Sequence, residues 1–236
     1  GGLIRDEQNS HNFQIYDNSF QGMKCNNSDN GRIVGNTISD YNGSAAPGIK
    51  IDYCDNIVVS DNTITNNGMG IRMGPSVNGT FTSNTVTNND WLGIYVHDSD
   101  HVVSNNIVNN NGGTSTASAS PPYGGIIISE GSNITITNNT ANNNNQCGIY
   151  VSNQGHTVSG NTATGNNPSG NFGQNIIGGD LCGTIAPIYP PTVTVPSDIT
   201  VAALTPSGTT VTYSDVTATD NVSVASGPTC DIASGT

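Results

Sequence analysis

The chain is 236 residues long, carries 5 Lys and Arg against 17 Asp and Glu, and has a formal net charge of −12 with only 9% charged residues. So few cations exclude a nucleic-acid-binding protein, which needs a basic footprint. No run of about 18 apolar residues is present to cross a membrane as a helix, and the length leaves room for one or two domains with a substantial core.

The chain opens on Gly1-Gly2 already in pattern, so no signal segment is expected within it. From Ile15 onward one phrase recurs: an apolar residue, two positions, an asparagine, one position, another apolar residue. The asparagines are Asn18, Asn36, Asn62, Asn84, Asn106, Asn139 and Asn161, spaced by 18, 26, 22, 22, 33 and 22 residues. Three residues before them stand Ile15, Ile33, Val59, Phe81, Val103, Ile136 and Val158. Two residues after them stand Phe20, Ile38, Ile64, Val86, Val108, Ala141 and Ala163. A period near 22 with period-2 alternation inside it predicts a solenoid whose unit is a coil of short strands. Low charge with much Asn, Thr, Ser and Gly is also a composition of disordered chains. A disordered chain has no reason to keep two apolar columns in register.

A second signature, Gly-apolar-variable-apolar, precedes each asparagine by 13 or 14 residues in Gly22–Cys25, Gly48–Ile51, Gly70–Met73, Gly93–Val96, Gly125–Ile128 and Gly148–Val151. Alternation turns the apolar pairs inward and the variable residue outward. Each coil thus holds at least two apolar strands, with corners of Asn, Gly, Asp and Ser, which tolerate left-handed backbone. Stacked about 4.8 Å apart, about eight coils fit between residues 3 and 185. The seven asparagines then form an amide ladder, a structural role that turn chemistry by itself explains. Two coils carry insertions, residues 42–47 and 111–123, each just before a Gly-apolar strand and so expected to flank its outer face. In these features residues 3–185 resemble the right-handed parallel β-helix repeats of polysaccharide lyases, epimerases and many surface proteins. That resemblance is specific for fold and nearly silent on activity.

The segment 184–191 (Thr-Ile-Ala-Pro-Ile-Tyr-Pro-Pro) breaks the period and reads as a semi-rigid linker. The domain division is therefore 1–185 for the β-helix, 186–191 for the linker and 192–236 for a second module. In that module Thr192–Val195, Ile199–Val201 and Thr210–Tyr213 have strand patterning. The strings from Pro190 to Val201 and from Val211 to Asn221 resemble the start of a hyalin-repeat (HYR) module. That resemblance implies an immunoglobulin-like β-sandwich, here partial, of a kind found in extracellular adhesive proteins. The whole is expected to be all-β. Both ends look unfinished, so neighbouring subunits or the rest of a longer polypeptide are expected as partners.

The five cysteines, Cys25, Cys54, Cys147, Cys182 and Cys230, show no metal-ligand spacing. Cys25 falls in the core column and is either a buried thiol or a bridge to Cys54 on the next coil. Cys147 and Cys182 lie late in the solenoid and could clip its last turns, but neither pairing follows from the sequence. The resemblance to a hyalin repeat implies a partner for Cys230 outside the segment. N-x-S/T sequons at Asn26, Asn42, Asn78, Asn133, Asn138 and Asn221 agree with an exported protein.

Candidate chemistry lies along the outward position of the Gly-apolar strand: Lys24, Lys50, Arg72, Tyr95, Ile127 and Tyr150. The next outward column is Asn26, Asp52, Gly74, His97, Ser129 and Ser152. An anionic polysaccharide fits such a strip, contacting Lys24, Lys50, Asp52, Arg72, Tyr95, His97 and Tyr150. In a catalytic version Lys50 or Arg72 neutralises a uronate carboxylate and His97 or Tyr95 takes the C5 proton. Against this stands the ordinary use of long amphipathic side chains to cover a sheet face, and no diagnostic catalytic string accompanies the strip. His101 and His156 have inward or corner parity. Asp98 and Asp100 are the residues that could contact Ca²⁺, though no calcium-repeat motif surrounds them; no other metal or cofactor is expected. The expected function is an extracellular or cell-surface, non-catalytic protein of adhesion, glycan contact or assembly. The competing expectation is a polysaccharide lyase or C5-epimerase acting on a uronate glycan.

Overall fold

In the computed structural model the described residues are 2–6, 10–41, 46–113, 124–152, 155–166, 181–183, 192–202, 205–206, 208–213 and 216–219. They divide into two units, Gly1–Pro187 and Ile188–Thr236.

The first unit is an all-β parallel solenoid of three sheets, with no helix among the described residues. The first sheet has eight strands: Leu3–Asp6, Gly22–Asn26, Pro47–Asp52, Met69–Met73, Leu92–Val96, Gly124–Ile128, Cys147–Val151 and Leu181–Gly183. The second has seven, from Gln14–Tyr16 to Thr157–Ser159, and the third has five, from Ser19–Phe20 to Ile107–Asn109. Five coils therefore carry all three strands, and single bridges through Thr140 and Thr162 continue the third sheet. The eight coils expected from the period correspond to the first sheet alone.

In-register stacking follows the apolar columns. Ile33 pairs with Val59, Val59 with Phe81 and Phe81 with Val103 in the second sheet. Ile38, Ile64, Val86 and Val108 do the same in the third, and Ile49, Ile71, Ile94, Ile126 and Ile149 in the first. All of these are fully buried. The interior is thus a set of continuous apolar stacks, mostly aliphatic with Phe81 between Val59 and Val103, each side chain resting on apolar ones in the rungs above and below. Such burial contributes roughly 1.5–3 kcal/mol per large side chain.

The ladder asparagine marks the corner between the second and third sheets. The left-handed residue at that corner is the one before it: Asp17, Gly35, Asp61, Ser83, Asn105, Asn138 and Gly160 all have positive φ. The turn preference attributed to the ladder asparagines therefore belongs to their predecessors, and the asparagines themselves serve as bonding partners. Asn62 donates from its backbone N (3.1 Å) and Nδ2 (3.0 Å) to Asn84 Oδ1, and from Nδ2 to Ile33 O (2.9 Å). Asn84 does the same toward Asn106 Oδ1 and Val59 O.

A second ladder stands five residues further on, at the corner leading back to the first sheet: Asn67, Asn89, Asn111, Asn144 and Asn166. It accounts for the glycine of the Gly-apolar signature. A Cβ on Gly48, Gly93 or Gly148 would sit 2.9, 3.0 or 2.5 Å from the Nδ2 of Asn67, Asn111 or Asn166. Each glycine leaves the space that a ladder amide fills.

The bridge between Cys25 and Cys54 ties the second and third rungs of the first sheet from the inside, with both residues fully buried. Cys147 is disulfide-bonded too, with its partner outside the described side chains. Cys182 pairs by backbone with Tyr150.

In the second unit Thr192–Thr194 pairs antiparallel with Thr217–Thr219. The expected strands at 199–201 and 210–213 make no ladder. Alternation makes a strand only where a partner supplies hydrogen bonds and a surface to cover, and here Val195, Ile199 and Val201 stay 67%, 46% and 50% exposed. The linker 186–191, both insertion tips (42–45 and 114–123) and Cys230 lie outside the described residues.

Candidate functional site

The outward position of the first sheet collects cations. Arg5 pairs by register with Lys24, Lys24 with Lys50, Lys50 with Arg72, Arg72 with Tyr95, Tyr95 with Ile127 and Ile127 with Tyr150. Four of the five basic residues of an acidic chain stand in one column, one rung apart. Arg5 escaped the repeat because Leu3 occupies the place where the next coil has Gly22. A cleft of about 200 Å³ lies at this end, between Leu3, Arg5, Lys24, Tyr41, Pro47 and Lys50.

Asp52 is the electrostatic centre of the strip. One carboxylate oxygen lies 2.6 Å from Lys50 Nζ and the other 2.6 Å from Arg72 Nη1. Its side chain is only 13% exposed. Burial by itself would raise its pKa, but the hydrogen bond from Lys50 and the charge and hydrogen bond of Arg72 outweigh that and hold it below its usual value. Gly74, on the next rung, makes the arrangement possible, since any Cβ there would run into the Asp52 carboxylate. Lys50, Asp52 and Arg72 thus come together as one cluster.

The aromatic half of the strip is organised differently. Ser129 Oγ donates to Tyr95 Oη at 2.8 Å. His97 Nε2 faces Glu130 Oε2 at 3.3 Å, and Nδ1 lies 3.3 Å from Asp98 Oδ1. Ile127 has outward register but is fully buried, so it adds nothing to an accessible strip. Tyr150 is half-buried beside it. Asp98 Oδ2 accepts from Ser76 N (3.2 Å) and Asp100 Oδ1 from Asn133 Nδ2 (2.7 Å). Among the described residues no group of three His, Cys, Asp or Glu is placed to hold a metal ion.

A family model described as "Right handed beta helix region" matches residues 1–121. The chain belongs to that family. No curated protein matches this β-helix. Among solved structures it is similar to the "Crystal structure of Dettilon tailspike protein (gp208)", at 18% identity and a TM-score of 0.44. That match covers 84% of this chain and 48% of the other, so the chain spans about half the length of that structure.

His101 is built into the wall of the β-helix. It is fully buried, edge-on to Phe81 with ring centroids 6.4 Å apart. Its Nδ1 accepts from Gly79 N at 2.9 Å, so the neutral ring carries its proton on Nε2, 3.1 Å from His97 O. Burial pushes its pKa down, and that of His156 as well. As pH falls through 6.5, the ordinary value for histidine, the unfolded chain takes up protons that the native rings refuse. Stability is therefore full above that pH and declines below it. We expect the melting temperature to drop from pH 7.5 to 5 by several degrees, and His101→Phe to flatten that slope. An unchanged slope in the variant would remove His101 from the account.

Proposed function

We propose that the protein is an extracellular, non-catalytic surface component that contacts an anionic, uronate-type glycan along the outward face of its first sheet. The observation that carries this reading is the column Arg5–Lys24–Lys50–Arg72 in a chain of net charge −12. Parallel stacking repeats a cation about every 4.8 Å, a linear spacing of positive charge that a polyanion lying along the sheet can follow. The disulfides support an oxidising compartment. So do the exposed sequon asparagines Asn78, Asn133 and Asn138 and the second module's resemblance to a hyalin repeat. Support for a non-catalytic role comes from the sequence, in which no diagnostic catalytic string accompanies the strip.

The test is titration calorimetry with oligogalacturonate and oligomannuronate against a neutral glucan of equal length. Binding should be confined to the uronates, weaken as salt rises, and fall about tenfold in Lys24→Glu. Equal binding of the neutral glucan, or no salt dependence, would remove the electrostatic reading. The same mixtures monitored for an unsaturated product or a changed epimer ratio examine the lyase or epimerase alternative. Turnover lost in both His97→Ala and Tyr95→Phe would establish it.

A further inference from the structure

Tyr53 stands at the corner directly after Asp52, with φ +55° and 61% exposure. Every other non-glycine residue with positive φ among those described is Asn, Asp, Ser or Gln. These are small or amide side chains that tolerate the left-handed region, whereas a bulky aromatic there is strained. The neighbouring rung has Asn27 at the same corner, also left-handed at φ +56°. Tyrosine is thus the conformationally unfavourable choice at a corner where the preceding rung uses asparagine and the following rung has Pro75.

The surroundings force Tyr53 to keep that conformation. Its N–H donates to Pro75 O at 2.7 Å, and the Cys54 N–H to Ser76 Oγ at 2.9 Å. Cys54 is also bound covalently to Cys25 on the previous rung. A side chain 61% exposed covers little of the core, so packing does not repay the strain. Strain retained at an exposed position beside a charged cluster marks a residue kept for contact with something outside the chain. Resting on the reading of the first sheet as a uronate-contact face, we propose that Tyr53 is a sugar-ring platform. The apolar C–H face of a pyranose stacks on the Tyr53 ring while the anionic groups of the same chain lie along the Lys24–Lys50–Arg72 column. This contact sets preference for a ring-bearing polyanion over an anion without rings.

Three measurements on the whole chain decide the matter. Tyr53→Asn installs the residue of the adjacent corner and should raise the melting temperature by about 2–4 °C. The same variant should weaken oligogalacturonate binding about five- to tenfold and leave binding of polyphosphate, an anion without rings, unchanged. Tyr53→Phe keeps the ring and should retain uronate affinity. A lower melting temperature in Tyr53→Asn would show that the ring is structural and overturn the inference. Uronate binding that falls in Lys24→Glu but not in Tyr53→Asn would also overturn it, while leaving the basic-column reading intact. Absence of uronate binding by the unaltered protein would overturn both.

Discussion

Asn84→Leu should lower stability by about 3–5 kcal/mol, measured as a drop in denaturation midpoint with the slope unchanged. Leucine keeps the branching and heavy-atom count of asparagine but has no polar atoms, so the loss comes chiefly from hydrogen bonding. Asn84 Oδ1 accepts from both N and Nδ2 of Asn62, and its own Nδ2 donates to Val59 O and Asn106 Oδ1. All four asparagine and carbonyl partners lie in a wall with almost no access to water. Removing one rung of the ladder leaves the Asn62 backbone N–H without its acceptor. It also takes one bond each from the Asn62 side-chain amide, which keeps Ile33 O, and from the Val59 carbonyl, at about 1–3 kcal/mol for each buried group left unsatisfied. Ser83→Gly, one residue away, should instead be neutral or stabilising, because Ser83 holds φ +57°. Equal losses in the two variants would mean that the corner, and not the ladder, carries the energy.

Gly93→Ala should cost about 2–4 kcal/mol, although the added group is a single methyl. That methyl would overlap Val108 Cγ1 and come within 2.8 Å of Gly125 O and 3.0 Å of Asn111 Nδ2. None of these can withdraw. Val108 belongs to a fully buried stack, Gly125 O is backbone, and Asn111 is bonded to Asn144 and to Val86 O. Gly22→Ala is the control: its methyl would meet only Leu3 Cδ2 and Tyr41 Cδ1, each at 3.0 Å, both on side chains with room to turn. Tyr41 stands there because the second ladder begins one rung later, at Asn67, whose Oδ1 accepts from Tyr41 N. Thermal melts of the two variants should separate by several degrees; identical melts would sever the link between the glycine column and the second ladder.

The two ladders show how far a linear pattern reaches. The first was legible because its asparagines sit between apolar residues at fixed offsets, as in Ile33, Asn36 and Ile38. The second carried a signal as plain, a five-residue step repeated from Asn62–Asn67 to Asn161–Asn166. It lay hidden among other asparagines in corners where Asn66, Asn88 and Asn110 supply the left-handed backbone. Neighbouring identical residues with different duties cannot be told apart without φ. Tyr53 escaped for the same reason, since nothing in its local sequence announces a positive φ.

Local alternation and a period near 22 residues were enough to establish the parallel β-helix, its apolar columns and the outward placement of Lys24, Lys50 and Arg72. Those properties follow from short-range geometry, in which each residue's face is set by its immediate neighbours. Contacts between rungs were decided only by the stacked coils. Asp52 bridging Lys50 and Arg72, Gly74 making room for it, Arg5 extending the column and Ile127 buried at an outward position all depend on side chains from different coils. Coil lengths vary from 18 to 33 residues along the asparagine series. Which side chains meet is therefore set by the hydrogen-bonded register of the sheets, a property that no single coil possesses.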